Sequence, residues 1–281
     1  MKQMDGPVKR TIIWIIIILG TIWMLFPFYW AIINSVKAKI DTFNPGAFFP
    51  FINFKPSFWA WNKVFGEGDP IKPLINSAVV GTATTGIVLL LGTMAAYALA
   101  RYRWNIIKSK DLTVWFLSQR VLPPVVVLIP FFIIMMKLHL LDTWRGLIVV
   151  YVTFNLPFGV VIMREMFRDI PIELEEAALI DGASDWQVFT RVSLPLAVNG
   201  LIATAIIVFA FAWNEALFAL TLTSAKAGTM PVYILSCRST RGVLFNVAAA
   251  NTLLAIGPPV LLALTIQRYL VRGLTFGAVK E

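Results

Sequence analysis

The sequence predicts an all-α, polytopic membrane protein, and the two observations behind that prediction are its composition and its long apolar segments. The chain has 281 residues, of which 58% are hydrophobic and 14% charged, whereas soluble domains contain about 45–50% apolar and about 25% charged residues. A transmembrane helix needs about 20 apolar residues, and six segments meet that length. We therefore expect six transmembrane helices in a single domain over residues 1–281. The six segments cover residues 11–34, 74–100, 112–137, 146–166, 198–222 and 247–270.

Basic residues predict which ends of these segments face the cytoplasm. They cluster before the first segment, in the short loop after the second and behind the sixth, and the positive-inside rule assigns such clusters to the cytoplasm. With an even number of spans, both termini are then cytoplasmic, and so is the loop between the fourth and fifth segments. The first outer loop also contains lysines, but a long segment counts less toward the rule. The basic residues are Lys2, Lys9, Arg10, Arg101, Arg103, Lys108, Lys110, Arg268, Arg272 and Lys280.

The composition also argues against several functional classes. The net charge of +9 is compatible with nucleic-acid binding, but the basic residues are scattered between apolar blocks and form no basic helix. A single cysteine, Cys237, and a single histidine, His139, leave no cluster that would bind a metal. The sequence has no G-x-x-x-x-G-K-S/T phosphate loop and no nucleophile paired with a plausible base. We expect no enzyme activity, no metal site, no bound cofactor and no nucleic-acid partner for this chain.

The loop of residues 167–197, called the acidic loop below, is the most water-soluble part of the chain. Its stretch "PIELEEAALIDGASDWQVFTRVSLPL" predicts two short helices. Pro171 suits a first helical position and Gly182 a helix end, while Ser184 begins the S-x-x-Q pattern of a capping box for a second helix. We expect that second helix to end at Pro195, because proline cannot continue a helical hydrogen-bond ladder.

These two helices need a partner surface. Helices this short are marginal on their own in water, and apolar side chains such as Ala177, Ala178 and Phe189 would otherwise stay exposed. Acidic residues outnumber basic ones in the loop, which argues against anionic lipid as the partner, because such lipid attracts polybasic segments. A cytoplasmic protein with a groove fits better.

The acidic loop also carries a family resemblance. The run Glu176-Ala177-Ala178, followed by Gly182 and later by Leu194-Pro195, resembles the EAA signature of ABC-importer permeases. The surrounding sequence is similar to that of carbohydrate-uptake permeases of the maltose/trehalose type, and the similarity covers nearly the whole chain. A valine at 192 where isoleucine is usual and a final glutamate where glycine is usual are small departures. Other matching runs are "LPPVVVLIPFF", "LLDTWRGLIVVYVTFNLPF", "FAFAWNEALFALTLT" and "VRGLTFGAVKE".

The resemblance implies one permease subunit of an importer in the plasma (inner) membrane of a bacterium or archaeon. The implied partners are a homologous second permease, a dimer of cytoplasmic ATPase subunits that bind ATP and Mg, an extracytoplasmic solute-binding protein, a sugar and the lipid bilayer. The tail 273–281 would reach between the ATPase subunits, although disorder is the usual expectation for so short a terminus. The acidic loop would be the coupling-helix loop that docks on the ATPase, through Glu176, Ala177, Ala178, Asp181, Gly182, Phe189, Leu194 and Pro195.

Polar residues inside the apolar segments suggest a substrate path. Charged side chains are costly near the centre of a membrane helix, so Arg120 and Glu215 require an explanation. Prolines after Arg120 predict a broken helix whose freed carbonyls face a cavity, and an aromatic plate beside amide and carboxylate groups suits a sugar. The alternative is a structural ion pair of Arg120 with Glu215 or with the partner subunit. The candidate residues are Gln119, Arg120, Asn155, Trp213, Asn214 and Glu215.

The second segment carries small residues at the spacing of a helix-packing face, which is a more common use of such residues than a binding site. They are Ser77, Gly81, Thr85, Gly92 and Ala96.

Other functions stay open on sequence alone. Within the same class, the solute would be a polyol or a compound like glycerol phosphate. In a different class, the chain would be a membrane scaffold that uses the acidic loop only for docking. An intramembrane enzyme is disfavoured because histidine and cysteine are so scarce.

Overall fold

The computed structural model describes residues 7–44, 46–102, 108–239 and 242–275, and it confirms the predicted all-α class. A 3-10 turn covers Lys39–Phe43, a π-helical turn covers Phe189–Ser193, and a small hairpin pairs β1 (Arg238–Ser239) with β2 (Gly242–Val243) antiparallel. The helices are α1 (Pro7–Ser35), α2 (Trp59–Gly66), α3 (Ile71–Arg101), α4 (Ser109–Ser118), α5 (Pro124–Lys137), α6 (Trp144–Arg168), α7 (Ile172–Ile180), α8 (Asp185–Val188), α9 (Leu194–Leu196), α10 (Val198–Asn214), α11 (Leu217–Leu222), α12 (Met230–Leu235) and α13 (Phe245–Thr275).

The span count of six is not confirmed. Among the described residues, four helices are long and apolar enough to cross a membrane, and their candidate spans are Lys9–Ser35, Ile71–Arg101, Trp144–Arg168 and Phe245–Thr265. A fifth span results only if Asp185–Leu196 and Val198–Asn214, which meet at 74°, are counted as one.

Two of the predicted spans are broken, for identifiable reasons. The third predicted span divides into α4 and α5, because Pro123 has an extended backbone (ψ 129°) and α5 begins at Pro124. This is the break that the prolines predict. The fifth predicted span divides at Glu215, whose backbone is extended (ψ 122°) and whose carboxylate caps α11 by accepting from the amides of Phe218 and Ala219.

By packing, the chain divides into two units, the first made of the described residues up to Pro70 with Ile234–Ile256. Its apolar residues form two clusters, one around Ile33 and Phe54 and the other around Val64 and Val247. Lys37 is buried in this unit, with its ammonium 4.6 Å from the ring centre of Trp30. Burial lowers the pKa of that ammonium, and nearby Asp41 partly offsets the effect.

The second unit comprises Ile71–Tyr233 and the described residues from Gly257 onward. Its centre is the pair α3 and α6, against which α10 packs. At Gly92 the helices α3 and α6 approach so closely that a Cβ atom would lie 3.2 Å from the carbonyl carbon of Gly159. The predicted packing face of small residues is confirmed, because Ser77, Gly81, Thr85, Gly92 and Ala96 are all buried.

Candidate functional site

The first helix of the acidic loop follows the sequence prediction closely. Helix α7 covers Ile172–Ile180, and Pro171 lies one position earlier than predicted, as the extended residue before the first turn. Gly182 has a φ of +85°, in the left-handed region where glycine carries no Cβ penalty, and this turn separates the two helices of the loop.

The second helix begins as predicted but ends differently. Ser184 and Gln187 form the complete capping box at the start of α8. The helix continues through the π-helical turn into α9 (Leu194–Leu196), so it ends one residue after the predicted end at Pro195. Pro195 lies directly after the π-helical turn, in the first turn of α9.

The residues predicted to contact an ATPase divide into an outer and an inner set. Glu176, Ala177, Asp181, Gly182 and Pro195 are exposed, whereas Ala178 and Leu194 are partly buried. Phe189 is only 7% exposed and packs against Tyr97, with 4.8 Å between ring centres. Phe189 therefore supports the loop from inside rather than presenting a surface.

Large apolar side chains on the outside of the loop remain uncovered. Ile180 is 86% exposed, and the other exposed large apolar residues are Ile172, Leu174, Leu179, Trp186 and Leu196. An apolar patch rimmed by acidic groups is typical of a protein-binding surface.

Sequence reasoning missed the residue that fixes this loop to the membrane helices. Glu175 is 5% exposed, and its carboxylate accepts hydrogen bonds from the Tyr97 hydroxyl (3.1 Å), the Arg101 Nε (2.9 Å) and the Ser193 hydroxyl (2.7 Å). The available signal was the spacing of Tyr97 and Arg101, which are four residues apart and so share one face at the end of α3. That spacing places two donors side by side where the acidic loop returns.

A groove lies between the end of α3 and α8. Its volume is about 310 Å³, and its walls include Met94, Tyr102, Asp185 and Trp186. Burial, and then the neighbouring Asp185 carboxylate, raise the pKa of Tyr102. The phenol of Tyr102 therefore remains neutral at physiological pH.

Three of the six candidate substrate-path residues line one cavity. Arg120, Asn155 and Glu215 face a space of about 340 Å³ whose other walls are Pro124, Tyr151, Phe154, Phe158, Phe211 and Phe218. The Arg120 guanidinium carbon lies over the Phe158 ring, 3.8 Å from the ring centre. Among the described residues, Arg120 Nε and Asn155 Oδ1 have no hydrogen-bond partner.

The other three candidates lie elsewhere. Gln119 lines a neighbouring cavity of about 420 Å³, which also includes Arg120. Trp213 is buried and packs on Phe209, 5.4 Å between ring centres, rather than offering a face to the cavity. Asn214 is exposed, and its amide donates to the Ala210 carbonyl at 2.8 Å.

The alternative of a structural ion pair between Arg120 and Glu215 is not realised in the described part of the chain. Both Glu215 oxygens instead accept backbone amides of α11, at 3.0 and 3.2 Å. Among the predicted and observed aromatic residues, Phe158 faces this cavity, where Arg120 lies over its ring, and Trp213 does not. The predicted reach of the tail 273–281 cannot be compared, since residues 276–281 lie outside the described residues.

Comparison with known proteins places these features in a family. Residues 88–276 match the family model described as "Binding-protein-dependent transport system inner membrane component". The trehalose transport system permease protein SugB of Mycobacterium tuberculosis is 38% identical over 266 residues, which is 91% of this chain and 92% of that protein. The trehalose/maltose transport system permease protein MalG of Thermococcus litoralis is 34% identical over 278 residues, 97% of each chain.

A solved structure has the same fold. It is the crystal structure of a bacterial ABC transporter involved in the import of the acidic polysaccharide alginate, with a TM-score of 0.76 and 21% identity. The match covers 95% of this chain and 99% of that chain. The family model and the two relatives confirm the expectation of a transport subunit rather than an enzyme. The chain belongs to the family of binding-protein-dependent transport system inner membrane components, the permease subunits of ABC importers.

Proposed function

We propose that this permease subunit takes a sugar from an extracytoplasmic binding protein and moves it into the cytoplasm by alternating access, driven by ATP. The observation that carries the proposal is the exposed surface of the acidic loop, where Glu176 and Ala177 lie beside the uncovered Ile180. A sugar is supported by the names of the two relatives, which transport trehalose, or trehalose and maltose.

The proposed complex has three kinds of protein partner, besides the sugar and the bilayer. A homologous second permease completes the pathway, a dimer of ATPase subunits docks on the acidic loop, and the binding protein delivers the sugar from outside. ATP and Mg bind to the ATPase subunits, and this chain binds no cofactor of its own. The description of the family supports both the binding protein and a location in the inner membrane. We take that membrane to be the plasma (inner) membrane of a bacterium or archaeon.

In the proposed orientation, the acidic loop and both termini face the cytoplasm. Basic residues gather at the end of the unit that carries the acidic loop. Arg101 is the last residue of α3, and Arg164 and Arg168 lie in the last turns of α6, shortly before α7 begins. The positive-inside rule assigns that end to the cytoplasm.

The proposed mechanism makes the outer face of the acidic loop the site of ATPase contact. Glu176, Ala177, Asp181, Gly182 and Pro195 provide the exposed contacts, supported from below by the less exposed Ala178, Phe189 and Leu194. When ATP closes the ATPase dimer, the loops of the two permeases are drawn together and the spans swing from inward-open to outward-open. ATP hydrolysis reverses the movement. Such a cycle requires that each state be favoured by different contacts.

The proposed sugar contacts are Arg120 and Asn155. A sugar offers hydroxyl groups and apolar ring faces, and this cavity offers the Arg120 guanidinium, the Asn155 amide and the faces of aromatic rings. The Phe158 ring contacts the guanidinium and helps to hold it in place beside the cavity, where its N–H groups can donate to a sugar hydroxyl.

The Arg120→Ala variant tests this contact. A hydrogen bond from a charged donor contributes about 1.5–3 kcal/mol, so we expect the apparent KM for sugar uptake to rise about tenfold or more. The control is Arg145→Ala, an exposed arginine at the start of α6, which should leave the KM unchanged. An unchanged KM in Arg120→Ala would exclude this contact.

Co-purification tests the proposed function itself. The tagged wild-type chain, Glu176→Lys and Glu173→Lys are each expressed with the neighbouring genes of their operon, and the bound partners are identified by mass spectrometry. Glu173 is also exposed on α7, in its first turn, and serves as the matched control. ATPase activity is measured on each complex, and the binding protein is screened against a sugar panel that includes trehalose, maltose and polyols.

The expected result is an ATPase, a second permease and a sugar-binding protein with the wild type and with Glu173→Lys. Glu176→Lys should lose the ATPase or its stimulation. If no ATPase accompanies the wild-type chain, the proposal fails and a membrane scaffold becomes the better explanation.

A further inference from the structure

We propose that the buried Glu175 carboxylate is a positioning residue that joins the acidic loop to α3 as one rigid lever, so that movement of the loop is transmitted to the membrane helices. The inference rests on the proposed function, because it assigns a role within the coupling to an ATPase. It concerns Glu175 and its three donors, none of which belongs to the exposed surface described above.

The carboxylate connects three separate parts of the chain. Tyr97 and Arg101 donate from the last turns of α3, and Ser193 donates from the end of the π-helical turn, so that α7, α3 and the second half of the acidic loop meet at one buried group. Arg101 also donates through Nη2 to the Ile170 carbonyl at 2.9 Å. One arginine thereby fixes both the entry to α7 and the first turn of that helix.

The backbone explains why these groups meet. Tyr97 and Arg101 share a helix face because they are four residues apart. The π-helical turn contains an extra residue, which rotates the following side chains by about 100° relative to an uninterrupted α-helix. That rotation places Ser193, which is completely buried, toward Glu175. A π-helical turn is an uncommon device, found frequently at functional sites.

Neighbouring carboxylates on α7 have opposite surroundings. Successive side chains of a helix differ in direction by about 100°, so Glu175 points inward to its donors while Glu176 is exposed. In the proposed coupling, the exposed Glu176 carboxylate contacts the ATPase, and the buried Glu175 carboxylate transmits the resulting movement of α7 to α3.

Directional bonds give this junction a property that apolar packing lacks. An apolar contact between α7 and α3 tolerates sliding and rotation, because the hydrophobic effect has no preferred direction. Three hydrogen bonds to one carboxylate fix both distance and angle. A buried ion pair contributes little net stability compared with apolar residues, which is consistent with a role in geometry.

The experiment measures the number of ATP molecules hydrolysed per sugar imported. Wild type, Glu175→Gln and the exposed control Glu173→Gln are purified with their ATPase and permease partners and reconstituted in vesicles with the binding protein outside. Glutamine keeps the volume of the side chain but removes the charge that Arg101 pairs with. If Glu175 had a merely structural role, its replacement would lower assembly, ATP hydrolysis and sugar import together. The number of ATP molecules hydrolysed per sugar imported would then stay the same.

The expected result for Glu175→Gln is a complex that assembles and hydrolyses ATP but imports poorly, so that the ratio rises about tenfold, within the range of measured coupling energies. Glu173→Gln should keep the wild-type ratio. A wild-type ratio in an assembled Glu175→Gln complex would overturn the inference while leaving the proposed function intact.

Two milder variants decide the matter if Glu175→Gln does not assemble. Tyr97→Phe and Ser193→Ala each remove one hydroxyl donor and leave the ion pair with Arg101 in place. Each should raise the ratio about twofold to fivefold. Unchanged ratios in both variants would overturn the inference, whereas a wild-type chain that binds no ATPase would instead overturn the proposed function.

Discussion

Replacing Asp142 by asparagine should loosen a junction between two loops. Asp142 lies between α5 and α6, and its carboxylate accepts from the backbone amides of Ser224, Ala225, Lys226 and Ala227 at 3.0–3.1 Å and from the Ser224 hydroxyl at 3.1 Å. Burial alone would raise the pKa of Asp142, but these backbone donors outweigh it and hold the pKa well below its usual range.

The magnitude follows from the bonds that asparagine cannot make. Asparagine keeps one carbonyl oxygen for the amides that Oδ1 accepts, including the Lys226 amide that Oδ1 and Oδ2 share. It turns an NH₂ group toward the Ala225 amide and the Ser224 hydroxyl, which donate to Oδ2 alone. Two lost bonds to a charged acceptor, at the low end of about 1.5–3 kcal/mol each, sum to about 3 kcal/mol. Because Asp142 is partly exposed, water recovers part of this, and we expect a loss of about 2 kcal/mol in the free energy of local opening.

Hydrogen–deuterium exchange of the purified protein in detergent measures this loss. Amides of residues 224–227 should exchange about 30-fold faster in Asp142→Asn than in the wild type. The control is Asp169→Asn, which changes an exposed aspartate just after α6 and should leave the same amides unaffected. Equal exchange in wild type and Asp142→Asn would refute the reasoning.

The lowered pKa also fixes the pH dependence of this contribution. Because the folded pKa lies below the unfolded value of about 3.9, the stabilisation is fully present above that value and is lost as the pH falls through the folded pKa. The difference in exchange-derived opening free energy between wild type and Asp142→Asn should therefore be constant from pH 8 down to about pH 5. A difference that shrinks within this window would contradict the assignment.

Three further predictions concern packing, capping and the thiol. Gly159→Leu should lower thermal stability in detergent, because a Cβ there lies 2.7 Å from a Val88 methyl and overpacking costs about 1–3 kcal/mol; Gly86→Leu, at an open position, should not. Ser184→Ala removes the cap of α8, so amides at the start of that helix should exchange faster by the equivalent of about 1 kcal/mol. Burial raises the pKa of the Cys237 thiol, so N-ethylmaleimide should label it only after denaturation; prompt labelling of the native protein would contradict this.

Local chemistry explains which parts of the fold were predictable. The turn at Gly182 and the capping box at Ser184 depend on a few neighbouring residues, and both are present. The break before Pro124 is equally local, since proline restricts its own backbone and the preceding residue. The break at Glu215 was not predicted, because apolar residues continue on both sides and only the folded chain shows the carboxylate capping α11.

The candidate site shows the same division. The exposed side of α7 was predictable because the EAA pattern resembles that of a known family. The inward role of Glu175 was not, since choosing between adjacent carboxylates requires knowing where the end of α3 packs. Likewise Trp213 was a reasonable aromatic candidate by type, but helix rotation in α10 directs it onto Phe209 and away from the cavity.

ATP-dependent sugar uptake tests the central claim most directly. The complex purified with this chain is reconstituted in vesicles with ATP on the side of the acidic loop and the binding protein, loaded with its radiolabelled sugar, on the other side. The account predicts accumulation of sugar that requires ATP, requires the binding protein and is abolished by Glu176→Lys but not by Glu173→Lys. Uptake that proceeds equally without ATP, or no uptake by an assembled complex with any member of the sugar panel, would contradict it.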